Sequence, residues 1–189
     1  MPLYTLEDFA ADLATAVHAG ATPPALDAGA TVMRLLLETD GALSRYVDVL
    51  RQGRGPWLLH QHAGLGFIVT LAAKAEGSAS TPHHHGDAWS LYGLLEGQET
   101  VHRYARLDDG RSAERAEVRR EADHVLRAGD VEVEDAFAIH SESTASPGTI
   151  ALIVRGRDLA QVTHEYFDLA TGVVSSRFGN AAKPLLAAE

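Results

Sequence analysis

Pro82-His83-His84-His85-Gly86-Asp87-Ala88-Trp89-Ser90-Leu91-Tyr92-Gly93-Leu94-Leu95-Glu96-Gly97-Gln98-Glu99 is the stretch on which the reading of the fold turns. The histidine run is internal and bounded by Pro82 and Gly86, unlike an expression tag. Successive side chains of an extended segment point to opposite faces, so His83 and His85 share one face while His84 points away. Two imidazoles on one face of a strand can chelate a single ion. Beyond them, Ser90 to Arg106 reads as one or two strands around the turn Glu96-Gly97.

On either side of this stretch the pattern is strand-like. Gly64-Leu65-Gly66 leads into the apolar run Phe67 to Ala72, and Asp108-Asp109-Gly110 is a hairpin signal. Val118, Val125-Leu126, Val131 to Val133, Phe137 to Ile139, Ile150 to Val154 and Val162 to Phe167 follow as short strands. Ala128-Gly129-Asp130 and Ala170-Thr171-Gly172 punctuate them. Strands at this spacing imply a sandwich or barrel.

The first fifty residues read as helical. Thr5-Leu6-Glu7-Asp8 is a capping box with Asp in place of Glu, and Leu6, Phe9, Ala10, Leu13, Ala16 and Val17 follow at helical spacing up to Gly20. Pro23-Pro24 opens a second helical segment with Val32, Leu35 and Leu36. Leu43, Tyr46, Val47 and Leu50 mark a third, after a break near Asp40-Gly41. The predicted architecture is mainly β: N-terminal helices over 1–52 packed on a β-barrel over 57–180, in a single domain spanning 1–189.

Composition narrows the chemistry. The chain has 189 residues, 46% apolar and 22% charged, which suits one globular domain with a sizeable core. Its net charge of -10 repels phosphate backbones and anionic lipid, so neither nucleic acid nor membrane is an expected partner. The opening Met1-Pro2-Leu3-Tyr4-Thr5-Leu6 has no secretory pattern, and the expected compartment is the cytoplasm. With ten His and no Cys, thiolate zinc sites, iron–sulfur clusters and cysteine nucleophiles are excluded. Any metal must be held by histidine and carboxylate.

A His-X-His pair, a strand, a glycine turn, then Ala128-Gly129-Asp130-Val131 and a late His140 after Phe137-Ala138-Ile139 resembles the two-part pattern of the cupin superfamily. More narrowly, the sequence resembles the cysteine dioxygenase family of thiol dioxygenases. That likeness is carried by Thr81-Pro82 before the His pair, Trp89, Gly93-Leu94-Leu95-Glu96-Gly97-Gln98-Glu99, Ile139-His140, and the tail His164-Glu165-Tyr166-Phe167-Asp168-Leu169-Ala170-Thr171-Gly172. It covers residues 57–180. The resemblance implies a double-stranded β-helix, or jelly-roll barrel, with a mononuclear iron(II) (Fe2+) centre.

Many cupins place a glutamate ligand four or five residues after the second His of the pair, where this chain has Trp89 and Ser90. Glu96 and Glu99 come later and read as solvated residues at a strand end. The expected metal ligands are therefore His83, His85 and His140, three neutral imidazoles that leave about three octahedral positions open. Such a site keeps the ion's full charge and favours an anionic donor such as a thiolate or carboxylate. Iron is the resemblance's metal; imidazoles alone would equally accept zinc, nickel or copper.

The chain departs from the thiol dioxygenase pattern in several places. The Ser-X-His-X-Tyr relay of the family falls on Ala151, Ile153 and Arg155, and the cysteine that some members cross-link to the tyrosine falls on Ser90. The family's carboxylate anchor falls near Pro56-Trp57, where Arg54 or His60 is a candidate substitute. Arg155 would suit an extra anionic group on the substrate, such as that of a mercapto-acid or the dicarboxylate mercaptosuccinate. His102 is a lesser candidate for lining the pocket, as are Arg177 and Phe178 for capping it. His18, His124 and His164 read as surface or satisfied core residues, and Trp89 and Tyr92 as barrel packing.

The function expected from these features is oxidation of a small mercapto-acid by O2 to its sulfinate, with Arg155, His60 and Arg54 as substrate-directed residues. Small-molecule thiol carboxylate and O2 are the expected partners of a monomer or small homo-oligomer. Two alternatives stay open. One is a different three-His reaction, such as carbon–carbon cleavage by O2 or zinc-dependent hydrolysis or isomerisation. The other is a non-catalytic binding module that retains a metal.

Overall fold

The capping box forms as read: the Thr5 hydroxyl accepts from the Asp8 amide at 3.1 Å, and the Asp8 carboxylate accepts from the Thr5 amide at 3.0 Å. It starts α1 (Leu6–Val17) in a computed structural model that describes residues 3–51 and 56–184. Pro23 opens α2 (Pro23–Glu38), and Gly41, at φ 79, breaks it from α3 (Ser44–Arg51). Leu6, Phe9, Leu13, Leu26, Met33, Leu36, Val47 and Leu50 bury one face of this layer against the barrel. No helix among the described residues is long and apolar enough to cross a membrane.

The strands are β1 (Trp57–Gln61), β2 (Ile68–Lys74), β3 (His83–His84), β4 (Ser90–Glu96), β5 (Gln98–Arg106) and β6 (Val118–Arg127). They continue with β7 (Val131–Glu134), β8 (Ile139–Thr144), β9 (Thr149–Arg155), β10 (Thr163–Phe167), β11 (Val174–Phe178) and β12 (Lys183–Pro184). A first sheet has the order β12-β1-β2-β9-β4-β7 and a second the order β11-β10-β3-β8-β5-β6. Pairing is antiparallel except between β1 and β12. From β2 onward the chain passes back and forth between the sheets, which is the winding of a double-stranded β-helix.

Strand parity assigns the two faces of the first sheet. Phe67, Val69, Leu71, Leu91, Ile150, Leu152 and Val154 pack on the helices. Ala72, Tyr92, Leu94, Ala151 and Ile153 face the barrel interior, where they meet Val101 and Leu126 of the second sheet. All seven residues of β9 are consequently buried. The passage from β4 to β5 turns on Gly97, at φ 83, where a Cβ would lie 2.7 Å from Thr149 Cα. Only glycine fits both that conformation and that approach.

The Asp108-Asp109-Gly110 signal is in part corrected. β5 and β6 do pair as a hairpin, but residues 107–117 join them in place of a tight turn. Asp108 gathers this longer loop by accepting from the Gly110 amide at 2.7 Å, the Glu117 amide at 2.6 Å and Arg106 Nε at 2.8 Å.

Candidate metal centre

His83 lies on β3, His85 follows that strand, and His140 is the second residue of β8, whose register sets it directly opposite His83. The three imidazoles come together inside the barrel: one ring nitrogen from each lies within 4.8 Å of the others, and ring centroids are 4.6–5.0 Å apart. His84 turns away, with Nε2 3.1 Å from Glu165 and its ring edge-on to exposed Phe137. The chain reverses after His85 at Gly86, at φ 55, where a Cβ would meet Val162 Cγ1 at 2.8 Å.

Hydrogen bonding decides which nitrogen each ring presents. His83 Nδ1 lies 2.8 Å from the Thr81 carbonyl and His140 Nδ1 3.1 Å from the Ala138 carbonyl. A carbonyl only accepts, so both Nδ1 atoms carry the proton and both Nε2 lone pairs are free. His85 Nδ1 instead meets His164 Nδ1 at 3.3 Å. His85 Nε2 and His140 Nε2 are buried and have no hydrogen-bond partner among the described residues. Burial first, then the neighbouring imidazole and Arg155 charges, lowers His83 to about 4. Burial likewise lowers His140 to about 4, against the pull of Glu142, and lowers His85 still further. The rings are thus neutral at pH 7, and buried, unpartnered lone pairs of this kind fit a bound cation.

Buried carboxylates border this face. Glu142 Oε1 stands 3.8 Å from His140 Nε2, and its Oε2 accepts from the Ser80 hydroxyl. Burial works against ionisation of Glu142, yet Lys74 and the Ser80 hydroxyl help hold it down at about 2. Glu134 Oε1 lies 3.3 Å from His140 Nδ1, and burial raises this carboxyl to about 7 against the opposing pull of Arg155.

Arg155 points into the barrel from β9, as do Ala151 and Ile153 before it. Its Nη1 donates to Ser90 Oγ and lies 3.5 Å from Glu134 Oε2. Tyr166 of β10 stacks on the His83 ring with centroids 5.5 Å apart, and Arg177 lies 4.1 Å over Tyr166. A cavity of about 110 Å³, lined by Arg103, Glu134 and His140 among others, opens beside the centre.

The other residues singled out in the sequence are distributed over the fold. His60 faces the helical layer: a bulge at Leu59 sets it opposite Val69, and its ring lies 5.9 Å from Phe67, so it does not join the three imidazoles. Simple alternation along β1 would have turned it inward. Arg54 lies outside the described residues. His102 is on the outer face of the second sheet, bonded to Ser143 at 2.9 Å and Asp123 at 3.0 Å. Trp89 packs on the helix side of the first sheet. Glu99 is not solvated but 2% exposed, accepting from Tyr92 and from Thr144 at 2.6 Å, because β5 parity turns it inward with Val101. Phe178 is exposed rather than folded over the centre.

His164 is the residue that sequence reading missed. It is 4% exposed and T-shaped against His85, with centroids 4.6 Å apart. The available signal was its i, i+2 relation to Tyr166, which puts both on one face of β10.

No protein-family model and no curated protein matches the chain. Among solved structures, it is similar to an oxalate oxidase in complex with the substrate analogue glycolate, at 22% identity over 48% of this chain and 41% of that one, with a TM-score of 0.38. It thus spans less than half the length of that protein. A double-stranded β-helix protein from Klebsiella pneumoniae matches at 13% identity over 55% of this chain and 71% of that one, with a TM-score of 0.39. KdgF from Halomonas sp. matches at 14% identity over 52% of this chain and 74% of that one, with a TM-score of 0.40. None of these likenesses assigns a reaction to the chain.

Proposed function

We propose that this protein is a mononuclear non-haem iron thiol dioxygenase that oxidises a small mercapto-acid, R–SH + O2 → R–SO2H. One observation carries the reading: three clustered, buried imidazoles, with no carboxylate in the ligand group, facing a buried guanidinium on the opposite sheet. An iron(II) ion held by His83, His85 and His140 would supply the open positions at which a thiolate sulfur and O2 meet.

The chain's own residues account for the rest. Neutral imidazole ligands leave the ion's charge uncompensated, which favours an anionic sulfur donor. Arg155, steadied by Ser90, orients the substrate carboxylate by charge-assisted hydrogen bonds. Because Glu134 already offsets part of its charge, Arg155 suits a single carboxylate better than the dicarboxylate mercaptosuccinate. Tyr92, Leu94, Ala151 and Ile153 fill the adjoining interior and exclude water. Ala151 and Ile153 transfer no proton, so Glu142, ionised and 3.8 Å from His140 Nε2, is the polar group best placed to accept one from the thiol.

Glu142 also favours a second reading, proton transfer at zinc in a hydrolysis or isomerisation, where a carboxylate base beside the ligands would serve equally. Anaerobic loading with Fe2+, followed by O2 uptake with 3-mercaptopropionate, cysteine and mercaptosuccinate, separates the two. Uptake with formation of a sulfinate two oxygen atoms heavier than the thiol is expected. Absence of uptake with every thiol, together with zinc in protein purified without a tag, would replace the dioxygenase reading with the hydrolytic one.

A further inference from the structure

We propose that His164 is a positioning residue for the metal centre: it accepts the Nδ1 proton of His85 and thereby keeps the His85 Nε2 lone pair turned toward the ion. The proposal rests on reading His83, His85 and His140 as the ligands.

The three ligand candidates are oriented by unlike means. Backbone carbonyls of Thr81 and Ala138 fix His83 and His140, and no substitution removes a carbonyl. His85 has a side chain for a partner, His164 Nδ1 at 3.3 Å. Two neutral imidazoles in this contact share a single proton between the facing nitrogens. If that proton sits on His164 Nδ1, a neutral His85 must carry its own proton on Nε2 and has no lone pair to give a metal. The arrangement that can bind metal is therefore His85 Nδ1–H donating to His164 Nδ1, with the single ring proton of His164 on Nε2.

The surroundings show that this contact is made at the expense of stability. His164 is 4% exposed, and its Nε2 is buried with no partner among the described residues. An unpaired buried polar atom destabilises a fold, so a residue serving packing alone would be better apolar at this position. The ring has room only because residue 179 is glycine: a Cβ there would lie 2.6 Å from His164 Nε2 and 2.5 Å from the Leu159 carbonyl oxygen.

Positioning and packing predict opposite signs. His164→Leu should raise the thermal midpoint of the metal-free protein while weakening Ni2+ and anaerobic Fe2+ binding, read by calorimetry, by about 10- to 100-fold. His164→Asn, whose Oδ1 can accept where Nδ1 did, should restore most of that affinity. In the metal-free wild type, 15N NMR should find His85 as the Nδ1–H tautomer. Wild-type affinity in His164→Leu alongside lost binding in His83→Ala would overturn the role of His164 alone, as would an Nε2–H tautomer at His85. Unchanged binding in His83→Ala would overturn the ligand assignment, and this proposal with it.

Discussion

Arg155 and Glu134 lie in one row across the first sheet with Ser90 between them, and their charges meet at 3.5 Å on the barrel side. Glu134 continues the row to His140 Nδ1 at 3.3 Å. The guanidinium that faces the proposed substrate is thus electrostatically tied to a metal-ligand candidate through one buried carboxyl.

Removing the guanidinium should therefore be felt as stability and as a shifted titration. Arg155→Ala is expected to cost about 2 kcal/mol, less than a fully stranded buried charge would, because Glu134 can take up a proton instead. Burial raises Glu134 to about 7 against an ordinary 4.5, so its contribution to stability falls as pH rises between those values. Without Arg155 the folded value moves higher and the decline extends above pH 7. Denaturant unfolding from pH 6 to 9 measures both, and Arg155→Ala/Glu134→Gln should recover most of the loss and flatten the profile.

Metal affinity should hold up in mild acid. With His83 and His140 lowered from 6.5 to about 4, protons do not compete for Nε2 until the pH nears those values. In the metal-free fold these two imidazoles bind fewer protons than in the unfolded chain, so their contribution to stability, opposite in sign to that of Glu134, is complete above pH 6.5 and is lost toward pH 4. Ni2+ titrations at pH 7.5 and 5.5 are expected to agree within a few-fold. A drop centred on pH 6.5 would mean that the imidazoles are solvated.

Loading and stripping the centre should move the melting temperature. A ligand that binds only the folded state at a thousand times its Kd adds about 4 kcal/mol of stability. Ni2+ or anaerobic Fe2+ should therefore raise Tm by many degrees, a chelator should reverse the rise, and His83→Ala and His140→Ala should abolish it. Differential scanning fluorimetry suffices to read this.

Phe137 tests how the two ligand turns are joined. It is the single non-glycine at positive φ among the described residues, 61% exposed, and its amide donates to the Gly86 carbonyl at 2.7 Å. That bond ties the turn before His140 to the turn after His85. Phe137→Gly should relieve about 1 kcal/mol of strain and leave metal affinity intact. Phe137→Val, a β-branched residue in the same conformation, should destabilise the protein and weaken binding together.

The helices, the Gly97 turn and the opposed faces of His83 and His84 were legible because each rests on local rules: periodicity, capping, glycine conformation and strand parity. What misled the reading was non-local. A single extra residue at Leu59 reverses the parity of His60, and no residue type announces a bulge there. His164 acquires its role only because β10 pairs with β3, a neighbour about eighty positions away in sequence. The inward carboxylates were hidden for another reason. Val131-Glu132-Val133-Glu134 alternates as a solvated strand would, yet in β7 the valines face the helices and the glutamates face the barrel interior. Where both faces of a sheet are covered, polar alternation no longer distinguishes water from a buried site.

Strand β9 carries two messages in alternate letters. Ile150, Leu152 and Val154 anchor the helical layer, while Ala151, Ile153 and Arg155 line the chamber beside the histidines. Substitutions in one phase leave the contacts of the other untouched. The positions where this chain departs from the thiol dioxygenase relay all fall in the chamber phase. A lineage could therefore exchange one reaction for another along this strand without renegotiating the architecture that supports it.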